Sequence, residues 1–401
     1  MTSPLFDVVS EEYRRFLYGN PYNSIHLSVP AETNPGAASR ERFRAWVADD
    51  VLQREAQPAL YPYEQEFSLP GSHEVYRRKG FIAFIKAYNW EEEVIFRHEN
   101  TIPRAVNDRT EMLRQSQVNV SPTHGLYHDP DFRLEPHIEA ALREPRYEVE
   151  DYQGVINRMG CITDPALIQQ FVTTLRDKEI ILADGHHRYA ASQTYRNEQR
   201  RQNPKDTGEE VYHFHQMYLT NSASDDLRIL PTHRLIVNWP PVDVNLLLER
   251  LREFFRVQPL PTPYDIEEII AGKRWAFGML LPSGAYQLRL KPEVHPQLDW
   301  KFPQVVKDLD LTVMHYFIIE KVLGIPGRKQ RSSRRIAFER NFSACLDSIR
   351  SQKASIALIT NEIQMEEVQA VCKSGYTMPQ KATYFYPKAL CGLVFGSVDE
   401  W

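Results

Sequence analysis

The sequence predicts a mixed α/β fold. The short apolar run at residues 180–183 has the composition of a buried strand, and residues 189–200 follow it as a helical stretch without Gly or Pro. Residues 275–281 and 286–290 have the pattern of a β-hairpin. Strands and helices that follow one another along a chain are typical of α/β and α+β domains.

Helix-capping residues, Gly and Pro residues that interrupt regular structure, and the spacing of apolar residues predict the remaining helices and strands. Ser10 followed by Glu11 and Glu12 marks a helix start, and Phe43 lies on a helical apolar stripe. The predicted elements are helices over 7–18, 39–55, 244–255, 266–271, 311–323, 343–352 and 364–373, strands over 24–29, 60–67, 80–88, 211–220 and 354–360, and a linker over 129–145.

The composition of the chain narrows its class. The 401 residues, 42% hydrophobic and 25% charged, suit a globular protein, and the net charge of -5 comes without a basic block, so we expect no nucleic-acid partner. The apolar runs are too short to span a bilayer, and no signal peptide is recognisable. The four scattered cysteines indicate free thiols in a reducing compartment, so we expect a cytoplasmic protein.

Changes in local composition and in the predicted secondary structure divide the chain into three predicted regions. Residues 1–239 form an N-terminal α/β region that contains the 180–200 strand and helix, and a Pro-rich stretch ends it. Residues 240–300 have the pattern of a small α/β module, possible as an insertion. Residues 301–401 form a C-terminal α/β region.

The polar turn between residues 183 and 189 is the predicted functional site. It reads Asp184, Gly185, His186, His187 and Arg188. A strand that turns sharply into a helix presents unpaired N–H groups and the positive end of the helix dipole, which favour phosphate. The glycine permits a tight turn, the arginine offers a fork for phosphate or carboxylate, and the aspartate suits hydrated magnesium. The simpler alternative is an ordinary helix cap with surface side chains.

Further candidates lie elsewhere in the chain. Glu99 at the end of a predicted strand is a candidate general base or metal-facing carboxylate, with a surface salt bridge as the alternative. His233 and Arg234, in a compact polar segment, suit a second phosphate or carboxylate contact. The pairs His124/His128 and His213/His215 have spacings that metals use, but we expect structural roles for them.

Common catalytic signatures are missing from the sequence. It contains no G-x-x-x-x-G-K-[ST], no G-x-G-x-x-G and no protein-kinase catalytic loop, so the usual nucleotide scaffolds are unsupported. It also lacks G-x-S-x-G and H-E-x-x-H, which mark serine hydrolases and zinc proteases.

Several segments together resemble one known family, the domain-of-unknown-function family 1015. The resemblance covers nearly the whole chain, and DGHHR, PTHR and TYFYPK are its most specific parts. Family members usually have a strand before the segment that here reads PLFDVV, so we expect that strand to be missing or the start to be atypical. The matching segments are FDVVS at Phe6, NPYNSIHL at Asn20, RHENT at Arg97, NDRTEML at Asn107, SPTHGLYHD at Ser121, ADGHHRYAAS at Ala183, LPTHRLI at Leu230 and TYFYPKALCGLVF at Thr383.

The DGHHR segment also resembles the nucleotide-binding turn of the ParB/sulfiredoxin superfamily, which includes free-serine kinases. This resemblance implies a ParB/sulfiredoxin-like nucleotide-binding core with additional α/β modules, ATP or ADP as phosphate donor, Mg²⁺, and L-serine as acceptor. It implies catalytic roles for Asp184, which would also bind the metal, and for Glu99 as the base. We expect His187 or His233 to stabilise the moving phosphoryl group, and Asp184→Ala to cost the fold only about 1 kcal/mol, as for a cap.

Two alternatives of other classes stay open. In the first, the turn binds a nucleotide that switches the conformation of a ParB-like protein, without transfer to a metabolite. In the second, the histidines and Asp184 form a metal-dependent phosphoester hydrolase.

Overall fold

The computed structural model describes residues 1–6, 8–69, 72–240 and 243–398. The contacts within it separate two compact units. The first comprises Met1–Arg97, Thr101–Arg228 and Pro387–Trp401, and the second His98–Asn100 and Ile229–Tyr386. Residues 240–300 and 301–386 therefore share one unit, which differs from the three regions that the sequence predicts.

The mixed α/β class is confirmed by the helices and strands of both units. The α-helices are α1 (Glu11–Tyr18), α2 (Ile25–Ser28), α3 (Pro35–Ala48), α4 (Pro103–Ser116), α5 (Glu135–Leu142), α6 (Pro165–Leu175), α7 (His186–Gln202), α8 (Val244–Phe254), α9 (Ile266–Ile270), α10 (Gln304–Lys307), α11 (Asp310–Val313), α12 (Gly327–Gln330), α13 (Phe342–Arg350) and α14 (Met365–Lys373). The strands are β1 (Tyr61–Ser68), β2 (Val75–Lys86), β3 (Ile95–Arg97), β4 (Val118–Asn119), β5 (Thr123–Tyr127), β6 (Tyr147–Glu150), β7 (Ile156–Met159), β8 (Ile180–Asp184), β9 (Phe214–Asn221), β10 (Arg228–Ile229), β11 (His233–Ile236), β12 (Phe255–Leu260), β13 (Ala276–Leu281), β14 (Gly284–Leu290), β15 (Ile336–Glu339), β16 (Ile356–Ile359), β17 (Phe385–Tyr386) and β18 (Gly396–Ser397). Short 3₁₀ segments cover Trp90–Glu92, Val211–His213, Pro263–Asp265 and Pro292–Gln297, and a π-helix covers Met314–Val322.

Local sequence signals explain where several helices begin. The Ser10 hydroxyl accepts a hydrogen bond from the Tyr13 amide at 3.1 Å, as the predicted cap requires. The Asp164 carboxylate accepts one from the Ala166 amide at 2.8 Å, and a proline follows at the first helical position of α6.

A mixed sheet forms the centre of the first unit. Its strands lie in the order β3–β8–β5–β9–β2–β1–β7–β6, with β8 parallel to β3 and β9 parallel to β5. Strand β8 has neighbours on both sides, which explains why its sequence is a nearly continuous apolar run. Its core neighbours include Phe81, Phe171, Met217 and Leu219.

The second unit has its own sheet and core. The strand order is β12–β14–β13–β16–β11–β15. The core on one side contains Phe255, Phe277 and Phe317, the last of which lies in the π-helix. The strands from 255 to 290 and those from 336 to 359 share this sheet, which is why the predicted boundary at residue 300 does not separate two units.

Two of the element predictions are wrong. Residues 25–28 form helix α2 and not a strand, because the Ser24 carbonyl accepts hydrogen bonds from the amides of Leu27 and Ser28. The predicted linker over 129–145 contains helix α5, in which Ile138 and Leu142 are buried in the core of the first unit. In both cases tertiary burial of apolar side chains outweighs local propensity.

Within the described residues, no helix is both long and apolar enough to cross a membrane. The four cysteines are free thiols, as the sequence predicts.

The core of the first unit is tested by a matched pair of phenylalanine substitutions. Phe81 is 1% exposed and Phe16, on α1, is 74% exposed. Phe81→Ala is expected to lower the free energy of unfolding by about 3–5 kcal/mol, because it removes a buried ring and leaves a cavity. Phe16→Ala should change it by less than about 0.5 kcal/mol. Urea denaturation measures both, and equal losses would contradict the packing described here.

Candidate functional site

The predicted turn is built on a glycine with left-handed backbone. Strand β8 ends at Asp184, Gly185 has φ +88°, and α7 begins at His186. A Cβ at Gly185 would lie 2.5 Å from Thr123 Cγ2 on β5 and 2.9 Å from a guanidinium nitrogen of Arg188. The helix thus starts three residues earlier than the sequence predicts, and glycine is needed for both conformation and space.

The carboxylate of Asp184 lies between two cations. Its Oδ2 accepts a hydrogen bond from Arg188 NH2 at 2.9 Å, and its Oδ1 accepts one from Lys388 Nζ. All three side chains are 12–15% exposed. One carboxylate facing two cations leaves one positive charge, which suits a bound anion at the helix start.

These contacts keep Asp184 ionised. Burial by itself raises the pKa of the carboxyl group, but Lys388 and Arg188 outweigh it and hold the pKa well below its ordinary value. The neighbouring His124 stays neutral, because burial, together with Arg78, lowers its pKa well below the ordinary range. Asp184 is consequently a poor proton acceptor near pH 7.

Lys388 reaches this cluster from the TYFYPK segment, and the backbone around it is anchored to β1 and β2. Gln65 Nε2 donates to the Lys388 carbonyl at 3.0 Å, and Arg78 donates to the Pro387 carbonyl. The Leu390 amide donates to the Tyr63 hydroxyl at 3.2 Å. The sequence alone does not identify Lys388 as a site residue, although the TYFYPK segment is one of the specific parts of the resemblance.

Arg188 is held by the segment that reads SPTHG. Its NH1 donates to the Ser121 hydroxyl at 2.8 Å and to the Pro122 carbonyl at 2.7 Å. These bonds orient the guanidinium so that its other terminal nitrogen, NH2, meets Asp184. The Ser121 segment therefore has a positioning function that the sequence alone did not reveal.

The two histidines of the turn have different surroundings. His187 Nε2 accepts a hydrogen bond from the Ile102 amide at 3.0 Å, just before α4 begins. This bond uses the lone pair of Nε2, so the proton of the neutral ring is on Nδ1. His186 is 6% exposed, and its charge interaction with Asp184 helps to lower the pKa of that carboxyl group.

Other predicted site residues belong to the second unit. Glu99 Oε1 accepts a hydrogen bond from the Lys381 amide at 3.3 Å. His233 and Arg234 are completely buried in β11. Their catalytic and nucleotide-binding roles, like those of Glu99 and the turn residues, stay predictions.

The environment of Arg234 is unusual for a guanidinium. It donates to the carbonyl oxygens of Thr232, Gln380 and Lys381, and its Nε lies 3.2 Å from His315 Nε2. Burial lowers the pKa of Arg234 to about 9 and that of His233 to about 4. Backbone carbonyls thus use much of the donor capacity of Arg234.

The predicted structural roles of further histidines match their contacts. His215 Nε2 lies 2.9 Å from Thr123 Oγ1 and its Nδ1 lies 2.7 Å from Ser192 Oγ, and burial lowers its pKa to about 3. His124 Nε2 lies 2.8 Å from Thr220 Oγ1. A neutral histidine between two hydroxyls ties β5, α7 and β9 together beneath the turn.

A group with metal-ligand chemistry lies in the loop before β9. Within the described residues, ligand atoms of Asp206, Glu210 and His213 lie within 4.8 Å of one another. His213 Nε2 is 2.8 Å from Asp206 Oδ2, which also accepts a hydrogen bond from the Tyr212 hydroxyl at 2.8 Å. These contacts account for the group as an internal hydrogen-bonded cluster.

Magnesium does not fit Asp184 as a directly bound ion. Mg²⁺ prefers several oxygen ligands in an octahedron. Both oxygens of the Asp184 carboxylate are already bonded to cationic nitrogens. Direct coordination would have to displace Lys388 or Arg188.

Comparison with protein-family models identifies the family of this chain. The model of the family described as "Protein of unknown function (DUF1015)" matches residues 1–312. The chain belongs to this family. No curated protein matches the sequence significantly.

The solved structures that match this DUF1015 member are distant from it in sequence. They include "Free serine kinase in complex with AMP" (13% identity, 76% of this chain and 86% of that chain, TM-score 0.40). A conserved hypothetical protein from Pyrococcus furiosus matches at 13% identity over 76% of this chain and 90% of that chain, with a TM-score of 0.37. SbnI with C-terminal truncation from Staphylococcus aureus matches at 11% identity over 77% and 84%, with a TM-score of 0.37.

The turn glycine is tested by comparing two left-handed positions. Gly185 has φ +88° and is crowded, whereas Gly208 has φ +83° with nothing within 4 Å of its missing Cβ. Gly208→Ala is expected to cost about 1 kcal/mol of unfolding free energy, from the backbone conformation alone. Gly185→Ala should cost at least about 2 kcal/mol, because Thr123 must also shift. Chemical denaturation gives both values, and similar losses would mean that crowding at Gly185 is unimportant.

The buried ion pair revises the expected cost of removing Asp184. Asp184→Asn leaves Lys388 and Arg188 facing a neutral amide, so we expect a loss of about 3 kcal/mol near pH 7 and not the 1 kcal/mol of a cap. The pKa of Asp184 is lower in the folded than in the unfolded state, so its contribution is complete above the unfolded pKa and declines as the pH falls. The gap between the two proteins should narrow by about 1 kcal/mol from pH 6 to pH 3.

Urea denaturation at several pH values measures this gap. Asp177→Asn, at an exposed position, is the matched control and should track the wild type throughout. A gap of the expected size that does not change with pH would refute an ionised, low-pKa Asp184.

Proposed function

We propose that this chain is a nucleotide-dependent phosphotransferase and that free L-serine is its acceptor. The observation that carries the proposal is the Asp184 carboxylate held between Lys388 and Arg188 at the start of α7. The donor, ATP or ADP, and the acceptor come from the resemblance of the DGHHR segment to free-serine kinases. The structural likeness to a serine kinase is too distant to add weight.

The cluster has the chemistry of a phosphate site. Helix α7 is long, and the first-turn amides at residues 186–188 have no intrahelical acceptor in any helix. The two cations contact Asp184, which directly precedes Gly185 and the start of this helix. Phosphate oxygens are strong acceptors for amides, a guanidinium and an ammonium, so the terminal phosphates of a nucleotide suit this position.

The two ion pairs of Asp184 and its low pKa support a positioning role for this carboxylate and argue against its acting as the base. It fixes Lys388 and Arg188 where they would neutralise charge on the phosphoryl group as it moves. In the reaction, the serine hydroxyl oxygen forms a bond to the terminal phosphorus and the bond from that phosphorus to the bridging oxygen breaks. Glu99 remains the predicted acceptor of the hydroxyl proton, and Mg²⁺, where required, would arrive bound to the nucleotide.

Replacement of Lys388 tests the proposal directly. Incubation with ATP or ADP, Mg²⁺ and L-serine, followed by phosphorus NMR, is expected to give O-phosphoserine. Lys388→Met should lower the rate by at least about 100-fold, because it removes charge stabilisation of the transition state, whereas Lys388→Arg should retain more activity. Lys205→Met, at an exposed lysine, is the control.

Each other outcome is informative. Full activity of Lys388→Met would show that the cluster does not act in transfer. Nucleotide binding without a phosphoester would favour the switch, and phosphate release without an acceptor would favour the hydrolase. Glu99→Gln in the same assay tests the predicted base.

A further inference from the structure

A cavity lies in the first unit next to Arg188. It is lined by residues of α2, α4, β4 and α7, and Arg188 and Ser121 are among the lining residues. Arg188 therefore takes part both in the Asp184 cluster and in the cavity wall. The other walls are largely apolar, with Leu27, Leu113 and Val118 among them.

Two residues that line this cavity carry buried polar atoms without partners. The Ser28 hydroxyl and the Asn119 amide nitrogen have no hydrogen-bond partner within the described residues, and each side chain belongs to a residue that is only 8% exposed. An unpaired buried polar group costs about 1–3 kcal/mol. Polar atoms on the edge of a bound molecule would satisfy both groups.

The charges of the lining restrict the class of this molecule. Arg109 and Arg188 are its ionisable residues, and no carboxylate lines the cavity in the part of the chain that the structure describes. A free amino acid would leave its ammonium group without a counter-ion here. A neutral or anionic molecule fits better.

Planar side-chain groups in the lining favour a flat ring as the ligand. The Arg109 guanidinium lies over the Phe6 ring, 4.6 Å from its centroid, so two planar groups stack at the wall. The cavity has room for about four to six water molecules, roughly the volume of one heteroaromatic ring system. Aromatic rings and guanidinium planes are the surfaces on which nucleobases stack, and asparagine amides pair with base edges.

We infer that this cavity binds the base of the nucleotide whose phosphates bind at the start of α7. The inference rests on the proposed function, since it assigns the other end of the same ligand. Asn119 and Ser28 would bond to the edge of the base, the apolar walls would cover its faces, and Arg188 would lie between base and phosphates.

Calorimetric titration with ADP and with inorganic pyrophosphate distinguishes binding of the base from binding of the phosphates, because pyrophosphate has no base. Asn119→Leu, which keeps the size but removes the amide, is expected to weaken ADP binding by at least about 10-fold. Pyrophosphate binding should stay within about twofold of the wild type. Met112→Trp, which fills the cavity from a half-buried position on α4, should also weaken ADP binding, and Asn245→Leu, at an exposed position of α8, should leave it unchanged.

The outcomes distinguish this inference from the proposed function. Unchanged ADP affinity in both cavity variants, each folded by its melting temperature, would overturn the inference and leave the phosphate site standing. So would pyrophosphate binding as tight as ADP binding in the wild type. Failure of the wild type to bind either probe would overturn the proposed function, and the inference with it.

Discussion

The buried, ionised carboxylate of Asp184 requires contacts from several segments of the first unit. A buried carboxylate is costly unless cations and hydrogen bonds compensate it, and here Lys388 and Arg188 do so. Each cation is in turn fixed by its own surroundings: the backbone of Lys388 by Gln65 and the guanidinium of Arg188 by Ser121. Distant parts of the sequence are thus tied to one carboxylate.

The local architecture of the site was predictable, and its long-range completion was not. The apolar run of β8, the glycine and the helix after it are signals within a few residues, so the strand, the turn and the helix follow from the sequence. Lys388 lies 204 residues from Asp184, and no local pattern links the two. The placement of Glu99, His233 and Arg234 in the second unit likewise depends on tertiary contacts.

Errors in the fold prediction have the same origin. The sequence of α2 is compatible with a strand as well as with a helix. The helical conformation is the one in which Ile25 and Leu27 are buried. The predicted linker has few local helix signals, but Ile138 and Leu142 complete the core of the first unit. Residues 240–300 look independent along the chain, yet their strands share a sheet with β11, β15 and β16. Pairing between strands that are far apart in the chain produces no periodic pattern in the sequence, so it could not be predicted from local signals.

The late position of Lys388 in the chain also affects biosynthesis. During translation, Asp184 and Arg188 leave the ribosome about 200 residues before Lys388, a delay of roughly 10–40 seconds at typical elongation rates. Throughout that interval the carboxylate has only one of its two cationic partners, so the central sheet of the first unit cannot reach its final stability. The contact between Lys388 and Asp184 can form only after residues 229–386 have been made.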